Sequence, residues 1–193
     1  MSHPRTTLSS PPDTASLWRV KNSPGVTVLA ADGSVIAQRG AFNSTMIWVT
    51  EMPAHLPHAM IATEDRRFFS HFGMDVIGLV RAMLANLRAG GVVQGGSTIT
   101  QQLAKNLFLT PERTVLRKAR ELMLALWLEA RLSKNEILTL YMNRVYLGAG
   151  AYGVEAASQR YFGKSARKVN VQEAALLAGL LKAPSRYAPT NNI

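Results

Sequence analysis

Residues 111–131 read PERTVLRKARELMLALWLEAR. Pro111 sits where a first helical turn tolerates it, directly after Thr110, a good capping residue. At about 100° per residue, Arg113, Arg117, Arg120 and Glu121 share one flank, with Lys118 beside them and Val115, Ala119 and Leu122 opposite. From Leu122 to Leu128 every residue is apolar, the pattern of a helix enclosed by protein on all sides. One long helix, basic in its first half and central to the core in its second, therefore predicts a mainly α-helical body. Glu121 falls at the junction, where a carboxylate is either half of a buried ion pair or a functional group. Taken alone, the ion pair is the better reading.

Working outward, 193 residues with 47% hydrophobic content suit one compact domain with a real core. Lys and Arg number 22 against 12 Asp and Glu, a net charge of +10, which favours an anionic partner: nucleic acid, anionic lipid or a phosphorylated substrate. With no cysteine, disulfides, zinc–thiolate sites and thiol catalysis are excluded. No apolar run approaches the roughly 18 residues of a membrane-spanning helix, and the N-terminus lacks the pattern of a signal peptide.

Residues 1–16, rich in Ser, Thr and Pro, read as a disordered tail. Within residues 17–50, the runs Val26–Leu29 and Ser34–Ala37 flank Asp32-Gly33, predicting a small N-terminal β-hairpin followed by a linker. From about Ala54 the pattern is helical to the end. Val76, Leu79, Val80, Met83, Leu84 and Leu87 mark one helix, stopped by Gly90-Gly91. Ser97 or Thr98 caps the next, through Leu107; Ser133 with Glu136 forms a capping box for another, ending near Tyr141. Asn170 with Glu173 starts the last, which Pro184 closes.

Two further stretches carry chemistry. Glu64 to Gly73 (EDRRFFSHFG) places paired carboxylates beside cations, aromatics and an imidazole. The pair Glu64 and Asp65, walled by Phe68, Phe69 and Phe72, is a setting in which one carboxyl becomes a usable general base, although nearby cations push the other way. His71 reads better as a helix-end histidine bonded to backbone than as a metal ligand. Gly95 to Asn106 (GGSTITQQLAKN) runs a glycine pair into a helix whose first turn offers hydroxyls, amides and exposed backbone N–H groups to an anion. Glu64 and Glu121, with Lys105, Arg113, Arg117 and Lys118 around them, suit a glycosyl transfer that inverts the anomeric centre: one carboxylate deprotonates the attacking hydroxyl and a basic wall neutralises a pyrophosphate leaving group.

These two stretches, with Arg117-Lys118-x-x-Glu121-x-x-x-Ala125-x-x-Leu128-Glu129, Lys134-x-x-Ile137-Leu138-x-x-Tyr141-x-Asn143 and Gly148 to Lys164, occur in the order seen in the family 51 peptidoglycan glycosyltransferases, which the chain resembles over about residues 45–190. The resemblance implies a lysozyme-like helical fold over residues 51–193, its C-terminal end open to being cut short. It implies work on the outer, periplasmic face of the cytoplasmic membrane with lipid II and the growing glycan strand as partners, and no nucleic acid. Position by position, it makes Glu64 the catalytic base and Glu121 the second catalytic glutamate, orienting the donor or helping to hold its pyrophosphate. Lys105, Arg113 and Lys118 match pyrophosphate-binding positions with Arg117 adjacent. Ser97, Thr98, Gln101, Gln102 and Asn106 match the block lining the cleft, and Asp65, Phe68, His71 and Gly73 the setting of the base. No cofactor is required, with a divalent cation (Mg or Mn) at the donor pyrophosphate left as an option.

The family carries a membrane anchor that this chain lacks, so the chain reads as a truncated or excised domain. The forms Val145-Tyr146-Leu147-Gly148 and Ala151-Tyr152-Gly153-Val154 look closer to the branch that also bears a penicillin-binding transpeptidase domain. Glycine-rich residues 90–96 and the apolar side chains of Phe69, Phe72 and Met74 are candidates for dipping into the membrane interface. The rival readings are a lytic enzyme of the same fold, which would not need the basic wall, and a non-catalytic basic module that binds nucleic acid or membrane.

Overall fold

The structure is a computed structural model that describes residues 14–18, 26–33, 35–39, 45–91, 93, 95–109 and 114–189. The short helix α1 (Thr14–Leu17) comes first, followed by strands β1 (Val26–Leu29) and β2 (Val35–Arg39), paired antiparallel with Val26 opposite Arg39. Gly33, at φ 82°, closes the turn between them through its N–H to the Ala30 carbonyl. Thereafter the chain is helical: α2 (His55–Glu64), α3 (Val76–Ala89), α4 (Ile99–Phe108), α5 (Val115–Arg131), α6 (Lys134–Met142), α7 (Val154–Phe162), α8 (Val171–Leu180) and the single turn α9 (Pro184–Tyr187). Of the expected tail (residues 1–16), residues 1–13 lie outside the described residues and residues 14–16 belong to α1; Leu17, the last residue of that helix, is buried and its carbonyl accepts a bond from Arg144 at 2.5 Å.

Local chemistry explains most of the boundaries. Ser133 and Glu136 make the reciprocal capping box that opens α6, and Asn170 and Glu173 make the one that opens α8. Asp75 accepts from the Gly78 amide to start α3, and Gly90, in the left-handed region at φ 63°, ends it. Two expected boundaries are corrected. Thr114 is extended and caps the Arg117 amide, so α5 starts at Val115 and not at Pro111, which is outside the described residues. Pro184 does not close α8, which ends at Leu180; it opens α9, because proline without an N–H costs nothing in a first turn.

The central helix is α6, where Ile137, Leu138, Leu140, Tyr141 and Met142 are all essentially solvent-free. Truncating one of these leucines to alanine would cost about 2–5 kcal/mol. The expectation that Leu122–Leu128 is enclosed on every side is overturned. Ala125 and Leu128 are buried, but Met123 is 70% exposed and Leu126 is 39% exposed. Helix α5 packs on α4 and α6 with one face and leaves the other open. The same holds more strongly for α3: Val76, Ile77, Leu79, Val80, Met83, Leu84 and Leu87 are exposed and Ala82 is its one buried residue. Among the described residues, no helix is long and apolar enough to cross a membrane.

Candidate active site

Helix α2 delivers Glu64 as its last residue, half-buried, because Asp65 leaves the helical region at φ −156°, ψ 77°. The turn that follows is held by buried contacts. Asp65 receives His71 Nε2 at 2.9 and 3.0 Å on its two oxygens and the Ile99 amide at 3.1 Å. His71 is thus bonded to a carboxylate, which corrects the expectation of a backbone partner. The expected anion-binding start of α4 is also corrected: the anion at its first amide is Asp65 of the chain itself, while Thr98 caps the Gln101 amide. Phe68 is fully buried, with Lys134 Nζ 4.5 Å from its ring centroid.

Gly73 fixes the same seam. At φ 74° it occupies the left-handed region, and an added Cβ would lie 3.3 Å from both the Ala125 carbonyl carbon and Glu129 Cγ. Its carbonyl accepts from Thr98 Oγ1 at 2.8 Å and from Gln101 Nε2 at 3.3 Å. Thr98 and Gln101 are therefore buried and engaged in holding this turn.

The two expected carboxylates stand in different surroundings. Glu64 accepts from Gln102 Nε2 at 2.6 Å, and the Gln102 amide oxygen in turn accepts from the Tyr141 hydroxyl at 3.5 Å. Glu121, 3% exposed, faces Lys118 through one oxygen and Arg117 through the other, the latter at 3.2 Å. Lys118 Nζ also donates to Ser97 Oγ at 2.9 Å and to Gln101 Oε1 at 3.3 Å. Neighbouring residues of α4 thus reach opposite ways, Gln102 to the Glu64 side and Gln101 to the Glu121 side.

Glu64, Asp65, Ser97, Thr98 and Gln102 line one open cleft of about 420 Å³. Lys105 and Asn106 lie exposed one helical turn beyond Gln101 and Gln102 and are not part of its lining. Arg113 is outside the described residues. Among the described residues, no group of three or more His, Asp or Glu side chains could hold a metal ion.

A family model described as Transglycosylase matches residues 32–193. The chain belongs to the transglycosylase family. It is 52% identical over 162 residues to penicillin-binding protein 1A of Aquifex aeolicus, covering 84% of this chain and 22% of that protein. It is 47% identical over 182 residues to penicillin-binding protein 1A of Vibrio cholerae, covering 94% and 22%. The protein of the same name from Escherichia coli is 47% identical over 178 residues, covering 92% and 21%. The chain thus spans about a fifth of the length of these relatives.

In this transglycosylase-family chain, sequence reasoning missed three groups at the cleft. Arg81 and Lys182 line it, and Tyr141 stands behind Gln102. Arg81 is one of two cations, with Arg88, in a largely apolar helix, and Lys182 follows the apolar run of α8, so each carried a weak signal. Tyr141 lay within a recognised block, but only the fold shows where its hydroxyl goes.

Proposed function

We propose that the chain polymerises lipid II into β-1,4-linked glycan strands and releases undecaprenyl pyrophosphate, with inversion at the anomeric carbon. The observation that carries this reading is Glu64 itself: a half-buried carboxylate in an open cleft, bonded to a neutral amide. That leaves a lone pair for a proton. Glu64 takes the proton from the acceptor sugar's 4-hydroxyl as that oxygen attacks the anomeric carbon of the growing strand. The bond from that carbon to pyrophosphate breaks, and the leaving group departs with the electron pair. Lys118 and Arg117, with Lys105 and Arg113, neutralise the charge that develops on it.

Glu121 acts in this reading by holding the Lys118 and Arg117 head groups. Because both its oxygens already face cations, it does not fit as a ligand for a divalent ion, and no step is routed through one. Ser97, Thr98, Gln101 and Gln102 hold or line the path between the two carboxylates, with Asn106 exposed one turn beyond. The helical body is read as lysozyme-like.

The exposed apolar residues of α3, interrupted by Arg81 and Arg88 on the same helix, with exposed Phe69 and Phe72, suit the surface of an anionic membrane. This surface supports our reading that the chain works at the outer face of the cytoplasmic membrane, beside a transpeptidase domain or other cell-wall proteins. Incubation of the chain with lipid II tests the reading: longer glycan strands and free undecaprenyl pyrophosphate are expected. Cleavage of finished peptidoglycan without polymerisation would favour the lytic alternative.

A further inference from the structure

Tyr141 lies in the solvent-free centre of α6, yet its hydroxyl points at Gln102, whose other amide end donates to Glu64. We propose that Tyr141 is a positioning residue that locks the Gln102 amide with its N–H toward Glu64, an inference that rests on the reading of Glu64 as the base.

The two ends of a glutamine amide are chemically opposite, one accepting and the other donating. With Tyr141 donating to Oε1, the NH₂ group faces Glu64 and donates to its carboxylate. Once Glu64 has taken a proton, the opposite orientation becomes competitive, because a carboxylic acid can donate to a flipped Oε1. That state holds the proton on Glu64 and removes the base from the next cycle. The Tyr141 hydroxyl opposes the flip, since it would lose its acceptor inside the core. Burial, then the Glu64 and Asp65 carboxylates, push this hydroxyl far above the ordinary phenol range, so it stays a donor at every working pH.

The other charged groups around Glu64 come from several elements. Asp65, held by His71, and Arg66 follow it in the chain; Asp75 and Arg81 approach from α3, and Lys182 from beyond α8. None bonds to Tyr141 among the described residues, so a change at Tyr141 leaves their arrangement in place.

The test is the pH–rate profile of lipid II polymerisation by the full chain carrying Tyr141→Phe, Gln102→Met, both, or Glu64→Gln. Tyr141→Phe is expected to move the acid limb up by about one pH unit, a tenfold loss of rate below the limb, with the plateau within about threefold of the parent. In the Gln102→Met background the same change should move nothing further. An acid limb unmoved by Tyr141→Phe, or moved equally in both backgrounds, overturns the proposal.

If Tyr141→Phe does not fold, 3-fluorotyrosine at 141 keeps the shape and makes a stronger donor. The limb should then move down, and an unchanged or raised limb is the overturning result. Polymerisation retained in Glu64→Gln would remove the base and this inference together. An inactive Glu64→Gln beside an unmoved Tyr141→Phe profile would remove this inference alone.

Discussion

The end of α2 and the middle of α5 each present a glutamate, and the two stand in opposite surroundings. Glu64 is half-buried in an open cleft and is met by a neutral amide. Glu121 is buried and is met by two cations. A carboxylate that must collect a proton needs a free lone pair and no cation fixed against it. One that must hold other groups still needs its charge fully matched. On the proposed reading, the contrast teaches that the immediate partner of each oxygen, more than proximity to a basic wall, marks the base.

Separating the two glutamates by mutation is the strongest way to break this contrast. Glu64→Gln should lower the polymerisation rate by roughly 10²–10⁴-fold, the range for loss of a general base, with melting temperature near that of the parent. A large loss of melting temperature in Glu64→Gln would mean that its carboxylate is structural after all. Glu121→Gln should act through the fold. Removing one member of a buried ion pair costs about 3–5 kcal/mol, and because Lys118 and Arg117 are partly solvated, about 1–3 kcal/mol is expected here. Urea unfolding should show that loss as a lower midpoint with an unchanged slope.

Gly73→Ala sharpens the comparison from the backbone side. A side chain at φ 74° with Ala125 and Glu129 at 3.3 Å should cost about 1–3 kcal/mol and loosen the hold of Thr98 and Gln101. Thermal unfolding of the variant measures it, and a neutral result would show that the turn is not what sets α4 against α5.

The smallest effect is expected far from both carboxylates. Lys164 first, and then the Asn170 amide, hold the Glu173 carboxyl below the usual carboxylate range. Because its folded-state value is depressed, its contribution is present above the unfolded value of about 4.3 and disappears as pH falls through the folded one. Melting temperatures of Glu173→Gln and parent should therefore differ slightly at neutral pH and converge in acid, whereas a constant gap would contradict the sign.

Much of the fold was legible in short-range chemistry. The Ser133 and Asn170 capping boxes and the Gly90 stop are local events, settled within four or five residues. What could not be read was which faces have neighbours. A run such as Leu122–Leu128 covers every direction with apolar groups and is silent on where protein stands, so Met123 could only be located by the fold.

The site divides the same way. Glu64 and Glu121 were marked by their surroundings in sequence, but the satisfaction of the first α4 amide by Asp65, thirty-four positions before Ile99, is a long-range pairing with no local trace. Tyr141, two helices beyond Gln102, is another.

The central claim is that Glu64 supplies the proton acceptor and little else. Lipid II binding and polymerisation, measured on one preparation of Glu64→Gln, test it most directly. Binding within about threefold of the parent with no glycan strands formed is the expected result. Strands formed at a rate near that of the parent would contradict it.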